Sequence, residues 1–599
     1  MPLFLEEVTK AVVETAILGA DGGKAAVSSV PPTSPTVPAT LHASLMARLD
    51  RLGSTAKEVL QFGAAIGRDF SYELLAAVGQ WTDAELRNAL GRLVAAGLVF
   101  QREMPPRASF LFKHALVQDI AYSMLLLGLR RSLHGQIALV LEGRFPEVMQ
   151  GQPETLAHHF TEAGLFEKAV GYWCRAGRQS LAKSGFVEAI TQLTTGLRLI
   201  ADLSDTRECK QQELELQIAL AGALTVVKGY AHPEVAEASE RARSLISETG
   251  RAGSITHFSV LRWLWAADFV GGKPKAALDH ANEFLSLARS QPDPRVSATG
   301  HWLAGRVLLT IGDYAAATSH LEHAMVSYRA GEHLPFDPRL GADIGVTAVA
   351  AWALALWHRG YPDQAREAAD EALRRARQLR HPHTLAYALL IIGLVAIAGR
   401  KTAETDEIAN ELVALSDEHR FAFFSGSGQI FQGWAWAQRG RGQAAVQRIR
   451  EGFAAAEATG WRSHEPGFHG LLAEALALTG AIEEGLTVLA DALVAAKVSG
   501  ARGADAELHR LQSGLLRRLP SPERTEIEDR LHRALAIARE QGTRGFELRA
   551  AVGLAQLRRD QGRQGEARDV LAPIYSSFTE GFDTLDLQDA KALLEALQT

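Results

Sequence analysis

The stretch Gly305-Arg-Val-Leu-Leu-Thr-Ile-Gly-Asp-Tyr-Ala-Ala-Ala-Thr-Ser-His-Leu-Glu-His-Ala324 decides the fold of this chain. Apolar residues recur at helical spacing on both sides of Gly312-Asp313. The glycine at 312 relaxes the turn between two helices. Tyr314, Ala317, Leu321 and Ala324 then share one face of the second helix, and Ala317 is small enough to let the two backbones approach closely. A helical pair this short cannot bury its own apolar face, so it must stack on further copies of itself.

Those copies are present. Gly272, Gly312, Gly360, Gly399, Gly440, Gly480 and Gly562 follow one another at steps of 40, 48, 39, 41, 40 and 82 residues, the last being twice 41. Ala277, Ala317, Ala365, Ala445 and Ala567 stand five places after their glycines, and Gly164 with Ala169, Trp173 and Ala176 begins the series earlier. The spacing is that of tetratricopeptide repeats. Other copies are degenerate: Glu404 stands where a small residue is expected, and Leu519-Pro520-Ser521-Pro522 replaces one turn. Residues 331–339 form an insert that accounts for the 48-residue step. A last helix, about Thr584 to Leu597, is suited to cap the array.

Composition limits the alternatives. The chain has 599 residues, 47% of them apolar and 22% charged, with a formal net charge of −6. That mild balance argues against a general binder of polyanions. Cys174 and Cys209 are too few for a disulfide framework and wrongly placed for a zinc site. No apolar run reaches the roughly 18 residues that span a bilayer, and no basic flank or apolar core at the start marks a signal peptide. A cytoplasmic protein is expected.

Three regions follow. Residues 1–39 hold a short helix over 3–18 and a Ser/Pro/Thr-rich connector from Ser28 to Pro38. Residues 40–150 read as short helices, with Thr55…Glu58 and Thr82…Glu85 as capping boxes. There Leu98-Val99-Phe100 and Phe110-Leu111-Phe112 are strands joined by a turn at Pro105-Pro106. Three helices and a hairpin predict a winged helix. Residues 151–599 are the helical repeats, so the expected fold class is mainly α: a winged-helix domain followed by a tetratricopeptide-like superhelix.

Pro2-Leu-Phe-Leu-Glu-Glu7, Val37-Pro-Ala-Thr-Leu41, Leu45-Met-Ala-Arg-Leu-Asp-Arg-Leu52, Ala65-Ile-Gly-Arg-Asp-Phe70, Phe112-Lys-His-Ala-Leu-Val-Gln-Asp-Ile-Ala-Tyr122 and Phe578-Thr-Glu-Gly-Phe-Asp583 form a specific combination. Together they resemble the C-terminal part of bacterial STAND-type ATPases, which are often fused to a class III adenylate/guanylate cyclase domain. The resemblance implies a lid remnant, a winged helix and a repeat sensor, with the P-loop core missing ahead of Met1. It also implies ATP or ADP and magnesium as cofactors of the full-length family, and none in this chain. Gly19-Ala-Asp-Gly-Gly-Lys-Ala25 is one residue short of a P-loop and carries Ala25 where a hydroxyl must meet magnesium. No catalytic residue is expected here.

By the same resemblance His114 is a nucleotide sensor when an ATPase core is present, with Ala115 in place of the family aspartate. The alternative is a buried histidine satisfied by local hydrogen bonds. Trp263, Trp265, Trp302, Trp352, Trp357, Trp434 and Trp436 fall on first helices of successive repeats, which line the concave face of a superhelix. They are candidates for groove binding; packing within each helical pair is the competing explanation. Trp263 and Trp265, like Trp434 and Trp436, diverge by about 200° around the helix, so only one of each can share a face.

No metal site is expected. His464 and His469 are five apart around Pro466, His158-His159 and His381-Pro-His383 read as helix-start or surface residues, and His320 with His323 lacks a visible third ligand. Gly426-Ser-Gly428 reads as close helix packing. DNA binding is not favoured, because Arg87 and Arg92 are offset by Asp83 and Glu85, and the wing adds only Arg102, Arg107 and Lys113. The expected partner is a protein, peptide or small effector in the repeat groove, with a separate ATPase or cyclase as a further candidate. Membrane and nucleic acid are not expected partners.

Overall fold

A computed structural model describes residues 46, 48–104, 107–183, 185–251, 253–330, 342–462 and 465–598. The expected helix over 3–18, the connector at 28–38, the Pro105-Pro106 turn and the insert at 331–339 lie outside these residues. The chain packs as two units. One comprises residues up to Lys183 with Thr191–Gln212; the other comprises Ser184–Ile190 and everything from Glu213.

The first unit opens with α1 (Ser54–Ile66), β1 (Asp69–Ser71), α2 (Tyr72–Val78), α3 (Asp83–Ala95), β2 (Val99–Arg102), β3 (Ser109–Phe112) and α4 (Ala115–Ser123). The strands form an antiparallel sheet in the order β1-β3-β2, with Phe70 opposite Phe110 and Phe100 opposite Leu111. The expected hairpin is β2–β3. The third strand, β1, was not expected: three residues are too few to show alternation. Its Phe70 anchors the unit, stacking on Phe110 at 5.7 Å and tilting against Phe112 at 5.5 Å. A Cβ on Gly63 would come within 2.7 Å of the Phe70 ring, so α1 must be bare there. Burying such a ring contributes about 1.5–3 kcal/mol.

Thr82 and Glu85 form the expected capping box at the start of α3. Thr55 and Glu58 do not. Gly53, at φ +82°, lets the chain enter α1 at Ser54, so Thr55 is already helical and Glu58 instead accepts the Trp81 indole N–H at 3.2 Å.

Four helices follow up to Lys183: α5 (Leu127–Arg144), α6 (Pro146–Gly151), α7 (Pro153–Ala163) and α8 (Phe166–Ala182). Leu133 and Ile137 of α5 and Leu156 and Phe160 of α7 share one core with Ala65 and Leu74. The compact unit therefore runs on past the expected division at residue 150. The Tyr122 hydroxyl lies 2.8 Å from His134 Nε2, and His134 Nδ1 lies 2.8 Å from His159 Nδ1. If Tyr122 donates, His134 carries its proton on Nδ1 and donates in turn to His159. His159 is thus a core residue rather than a surface one, at 1% exposure, because it shares the inward face of α7 with Leu156 and Phe160.

Burial, with His158 and Arg130 nearby, lowers the His134 pKa to about 4; burial, with His134 and His158 nearby, lowers that of His159 to about 3. Both are lowered on folding, so their stabilisation is complete above pH 6.5 and drains away as pH falls through 4 to 3. His134 alone should cost about 3 kcal/mol of stability across that range. Near-UV circular dichroism against pH will show an acid transition that moves to lower pH in His134→Phe/His159→Leu. An unmoved midpoint would assign the acid sensitivity to other groups.

The second unit is an α-superhelix of stacked helical pairs. Gly272, Gly312, Gly360, Gly440, Gly480 and Gly562 all have positive φ, between 74° and 96°, as the repeat turn requires. Gly399 does not: its φ is −78°, and Arg400 takes the left-handed conformation at φ 54°. Glycine at 399 eases the packing instead, since a Cβ there would stand 3.1 Å from the Trp357 ring. Gly426 likewise allows close packing, its missing Cβ lying 2.7 Å from the Gly452 carbonyl oxygen.

The superhelix winds back onto itself. Arg462 N–H donates to Val270 O at 2.6 Å, Gly503 N–H to Thr310 O at 2.9 Å, and the Tyr314 hydroxyl to Gly503 O at 3.1 Å. Turn glycines sit at these meetings: a Cβ on Gly272 would be 2.7 Å from Arg462 Cβ, and one on Gly360 would be 2.9 Å from Arg544 Cβ. Gly440, Gly480 and Gly562 have nothing within 4 Å. Squeezed between outer partners and the next turn, the inner helix Pro382–Ala398 is apolar around most of its circumference. No single helix among the described residues is long and apolar enough to cross a membrane.

Candidate functional site

The first helices of successive pairs surround a cavity of about 690 Å³. Helices Pro294–Ile311, Ile344–Arg359, Pro382–Ala398, Ala422–Gln438, Glu465–Thr479, Asp505–Leu516, Arg544–Asp560 and Leu585–Ala596 all contribute to its lining. They do so because each presents one face to the outer partner and the other to the superhelix interior. Leu354, Leu394, Ile397, Leu471, Phe468 and Phe546 make much of the lining apolar.

A chain of alternating charges crosses this lining. Arg510 grips Glu507 with two hydrogen bonds of 2.8 Å and lies 3.8 Å from Glu474. Arg549 donates to Glu507 at 3.1 Å and to Asp586 at 2.7 Å, and its remaining nitrogen reaches the Ala398 carbonyl. Arg400 meets Asp586 at 3.3 Å and Asp589 at 2.6 Å. The chain therefore ties the C-terminal end of helix Pro382–Ala398 to helices lying more than 100 residues later. A left-handed arginine at position 400 is a strained conformation, held at the point where its side chain joins the network.

The electrostatics differ along the chain. Burial pushes the Glu507 carboxyl up, but Arg510 and Arg549 outweigh it and hold the pKa at about 2. Glu474 has fewer compensating partners. Burial raises its pKa, only partly offset by Arg510 at 3.8 Å and the Trp434 indole N–H, which donates to its Oε2 at 2.8 Å. Arg306 also lines the cavity, over the rings of Phe269 at 5.5 Å and Tyr387 at 5.9 Å. His358 sits between the rings of Tyr314 and Phe546, and burial beside Arg549 lowers its pKa to about 4.

Of the tryptophan candidates, Trp434 alone lines the cavity. Trp265 and Trp302 are buried against one another at 5.3 Å, with Trp265 stacked on Phe269 at 4.7 Å. Trp263 is half-buried under the Arg262 guanidinium at 4.3 Å, Trp436 is half-buried under Arg441 at 4.8 Å, and Trp352 is half-buried against the core. Trp357 is buried beside Gly399. The Glu474, Glu507, Arg510, Arg549 and Asp586 network escaped the sequence reading. Its available signal was a charge inside an apolar helix, as at Glu474 in Leu471-Leu-Ala-Glu-Ala-Leu-Ala-Leu478.

His114 belongs to the first unit. It stands at the N-cap of α4 without capping it, half-buried, and its Nε2 has no hydrogen-bond partner. Among the other histidines, His301 joins His320 and His323: its Nδ1 is 3.1 Å from that of His320, and its ring is 5.1 Å from that of His323. Sequence missed this third ring because it lies on the preceding helix. No group of three or more such side chains among the described residues is arranged to hold a metal ion. His383 is a helix-start residue, half-buried, and bonds the Tyr230 hydroxyl at 2.6 Å, while His381 caps the same helix. His464 lies outside the described residues, and Pro466 falls in the first turn of helix Glu465–Thr479. On α3, Arg87 is paired with Asp83 at 2.8 Å, and at the sheet Arg102 faces Asp69 at 3.8 Å.

No family model matches the chain. An uncharacterized protein of Rhizobium meliloti (strain 1021) is 23% identical over 563 residues, covering 93% of this chain. The chain spans about half the length of that curated relative, 53% of it. Among solved structures, a Rap protein complexed with competence and sporulation factor is 14% identical with a TM-score of 0.40, covering 67% of this chain and 100% of its own. A STAND protein with a tetratricopeptide repeat sensor from Pyrococcus horikoshii is 12% identical with a TM-score of 0.32, covering 72% of this chain and 66% of its own.

Proposed function

We propose that this chain is a non-catalytic sensing and interaction module, the sensor-and-relay part of a STAND-type ATPase, which binds an effector inside its repeat superhelix. The cavity carries this reading: eight successive first helices line it, and its charge network joins separate turns of the superhelix. An occupant that adds to or competes with those ion pairs changes how the turns hold together. Binding is thereby converted into a population shift between two arrangements.

In this reading the α1-β1-α2-α3-β2-β3 order of the first unit is a winged helix acting as a hinge. His114, with its unpartnered Nε2, would meet nucleotide phosphate when an ATPase core is present. A second reading is supported by the relative of about twice the length: the chain is the regulatory portion of a longer ATP-binding ATPase or cyclase. The pairing of Arg87 and Arg102 with acids leaves a DNA-binding role without support.

The test is a thermal-shift screen of small metabolites and short peptides against the wild type and against Val552→Trp/Gln556→Trp, which fills the cavity from its lining. Compounds acting at the site should raise the wild-type melting temperature and leave the filled variant unchanged. Equal shifts in both proteins would place binding elsewhere and sink the reading.

A further inference from the structure

We infer that the cavity takes a small molecule bearing an ammonium group, whose charge is met by the Glu474 carboxylate among the aromatic and apolar side chains of the wall. The inference rests on the reading of this cavity as a ligand site. Its volume of about 690 Å³ lies within the range of small-molecule sites, roughly 300–1,000 Å³, and is too small for a folded partner.

The charge inventory selects the ligand. Along the network four carboxylates (Glu474, Glu507, Asp586 and Asp589) share three guanidiniums (Arg510, Arg549 and Arg400). Arg510 is committed to Glu507 by two short hydrogen bonds, so it reaches Glu474 only at 3.8 Å. Glu474 Oε2 accepts from the neutral Trp434 N–H, whereas Oε1 accepts no hydrogen bond from the described residues; its contact is that distant arginine. About 29% of the Glu474 side chain is accessible, and it lines the cavity. A carboxylate placed so has no cation within hydrogen-bonding distance among the described residues. An alkylammonium supplies one, with three donors for the open oxygen and its neighbours. Trp434, Phe468 and Phe546 on the same lining can accommodate an apolar body.

Burial raises the Glu474 pKa, as expected of a carboxylate without a full partner, and a bound cation would lower it again. Arg306 on the same lining offers a site for a ligand carboxylate. The ammonium therefore has two sources, a simple amine or an amino acid or short peptide.

The experiment is titration calorimetry of the full chain with 2-phenylethylamine, 1,4-diaminobutane, L-phenylalanine and phenylacetate. At least one of the first three should bind, and binding should weaken at least tenfold in Glu474→Gln, which keeps an acceptor for Trp434. The amines binding best would identify a simple amine; L-phenylalanine binding best would identify a zwitterion held also by Arg306. Phenylacetate should not bind. Val552→Trp/Gln556→Trp, which leaves the charge network untouched, should lose the same binding and serves if Glu474→Gln does not fold. Absence of binding by all three ammonium compounds, binding unchanged in Glu474→Gln, or equal binding of phenylacetate would overturn the inference. Metabolite hits that vanish in the filled variant but carry no ammonium would overturn it while leaving the cavity reading intact. Amine binding retained in the filled variant would overturn both.

Discussion

Replacing Arg549 with alanine will destabilise the second unit by about 3–5 kcal/mol, the cost of leaving buried charges without their partner. The guanidinium satisfies three groups at once: Glu507 at 3.1 Å, Asp586 at 2.7 Å and the Ala398 carbonyl. Its pKa is raised, burial being outweighed by Asp586 and Glu507, so it stays charged throughout the accessible pH range. Lysine will not rescue it, because one ammonium cannot present the planar fork that meets three acceptors in different directions. Urea unfolding followed through the second unit measures the loss, and Arg450→Ala is the control. Arg450 pairs with Glu484 at the surface, both about half exposed, and its removal should cost at most about 1 kcal/mol. A loss at Arg549 no larger than this would mean that the network does not join the turns. Hydrogen exchange offers an independent check, since amides near 395–398 and 585–589 should lose protection together in the variant.

The elements that repeat were the most legible in the sequence; of those that occur once, the β2–β3 hairpin was read and the three-residue β1 was not. Glycine at a fixed period states a helix end, and six of the seven glycines have the positive φ that this meaning requires. The seventh marks a helix end as well, as the C-cap of Pro382–Ala398, but without positive φ. Gly399 packs under Trp357, where an added Cβ would be tight, and the left-handed residue is its neighbour Arg400. Likewise Thr82…Glu85 reads correctly as a capping box, while the same pattern at Thr55…Glu58 fails because Gly53 starts the helix earlier. Local spacing cannot reveal such a shift of one residue.

The candidate site shows the same division. That first helices face the interior follows from the repeat, and Trp434 lies on that lining. The cavity chemistry does not follow, because Glu474, Glu507, Arg549 and Asp586 come from helices that meet only when the superhelix winds back. Their spacing carries no trace of that closure. His301 beside His320 and His323, and His134 beside His159, are contacts of the same kind, made across helices.

Gly581→Ala should destabilise the second unit by about 2–4 kcal/mol, more than any helix-end glycine without neighbours. Gly581 has φ +76°, and a Cβ there would overlap the ring of Pro362 in the earlier superhelical turn. The loop cannot simply retreat. Glu580 Oε1 accepts the backbone N–H groups of Asp363 and Gln364 at 3.0 and 3.1 Å, while Gly581 N–H donates to Asp363 Oδ2 at 2.9 Å. These are free donors at the start of helix Pro362–Leu379, where a carboxylate also meets the positive end of the helix dipole. Phe578-Thr-Glu-Gly-Phe-Asp583 thus acts as a cap delivered from another turn, and Arg366 facing Asp583 at 3.4 Å completes it. Gly562→Ala provides the comparison. Its φ is also +76° but nothing lies within 4 Å of the added carbon, so only the backbone term remains, about 1 kcal/mol. The difference between the two urea midpoints isolates packing between turns from strain within one turn. Equal losses would show that the loop yields freely and that the turns are not locked there. A larger loss at Gly581 should be accompanied by weaker binding in the cavity, because Asp586 and Asp589 begin the helix that this loop positions.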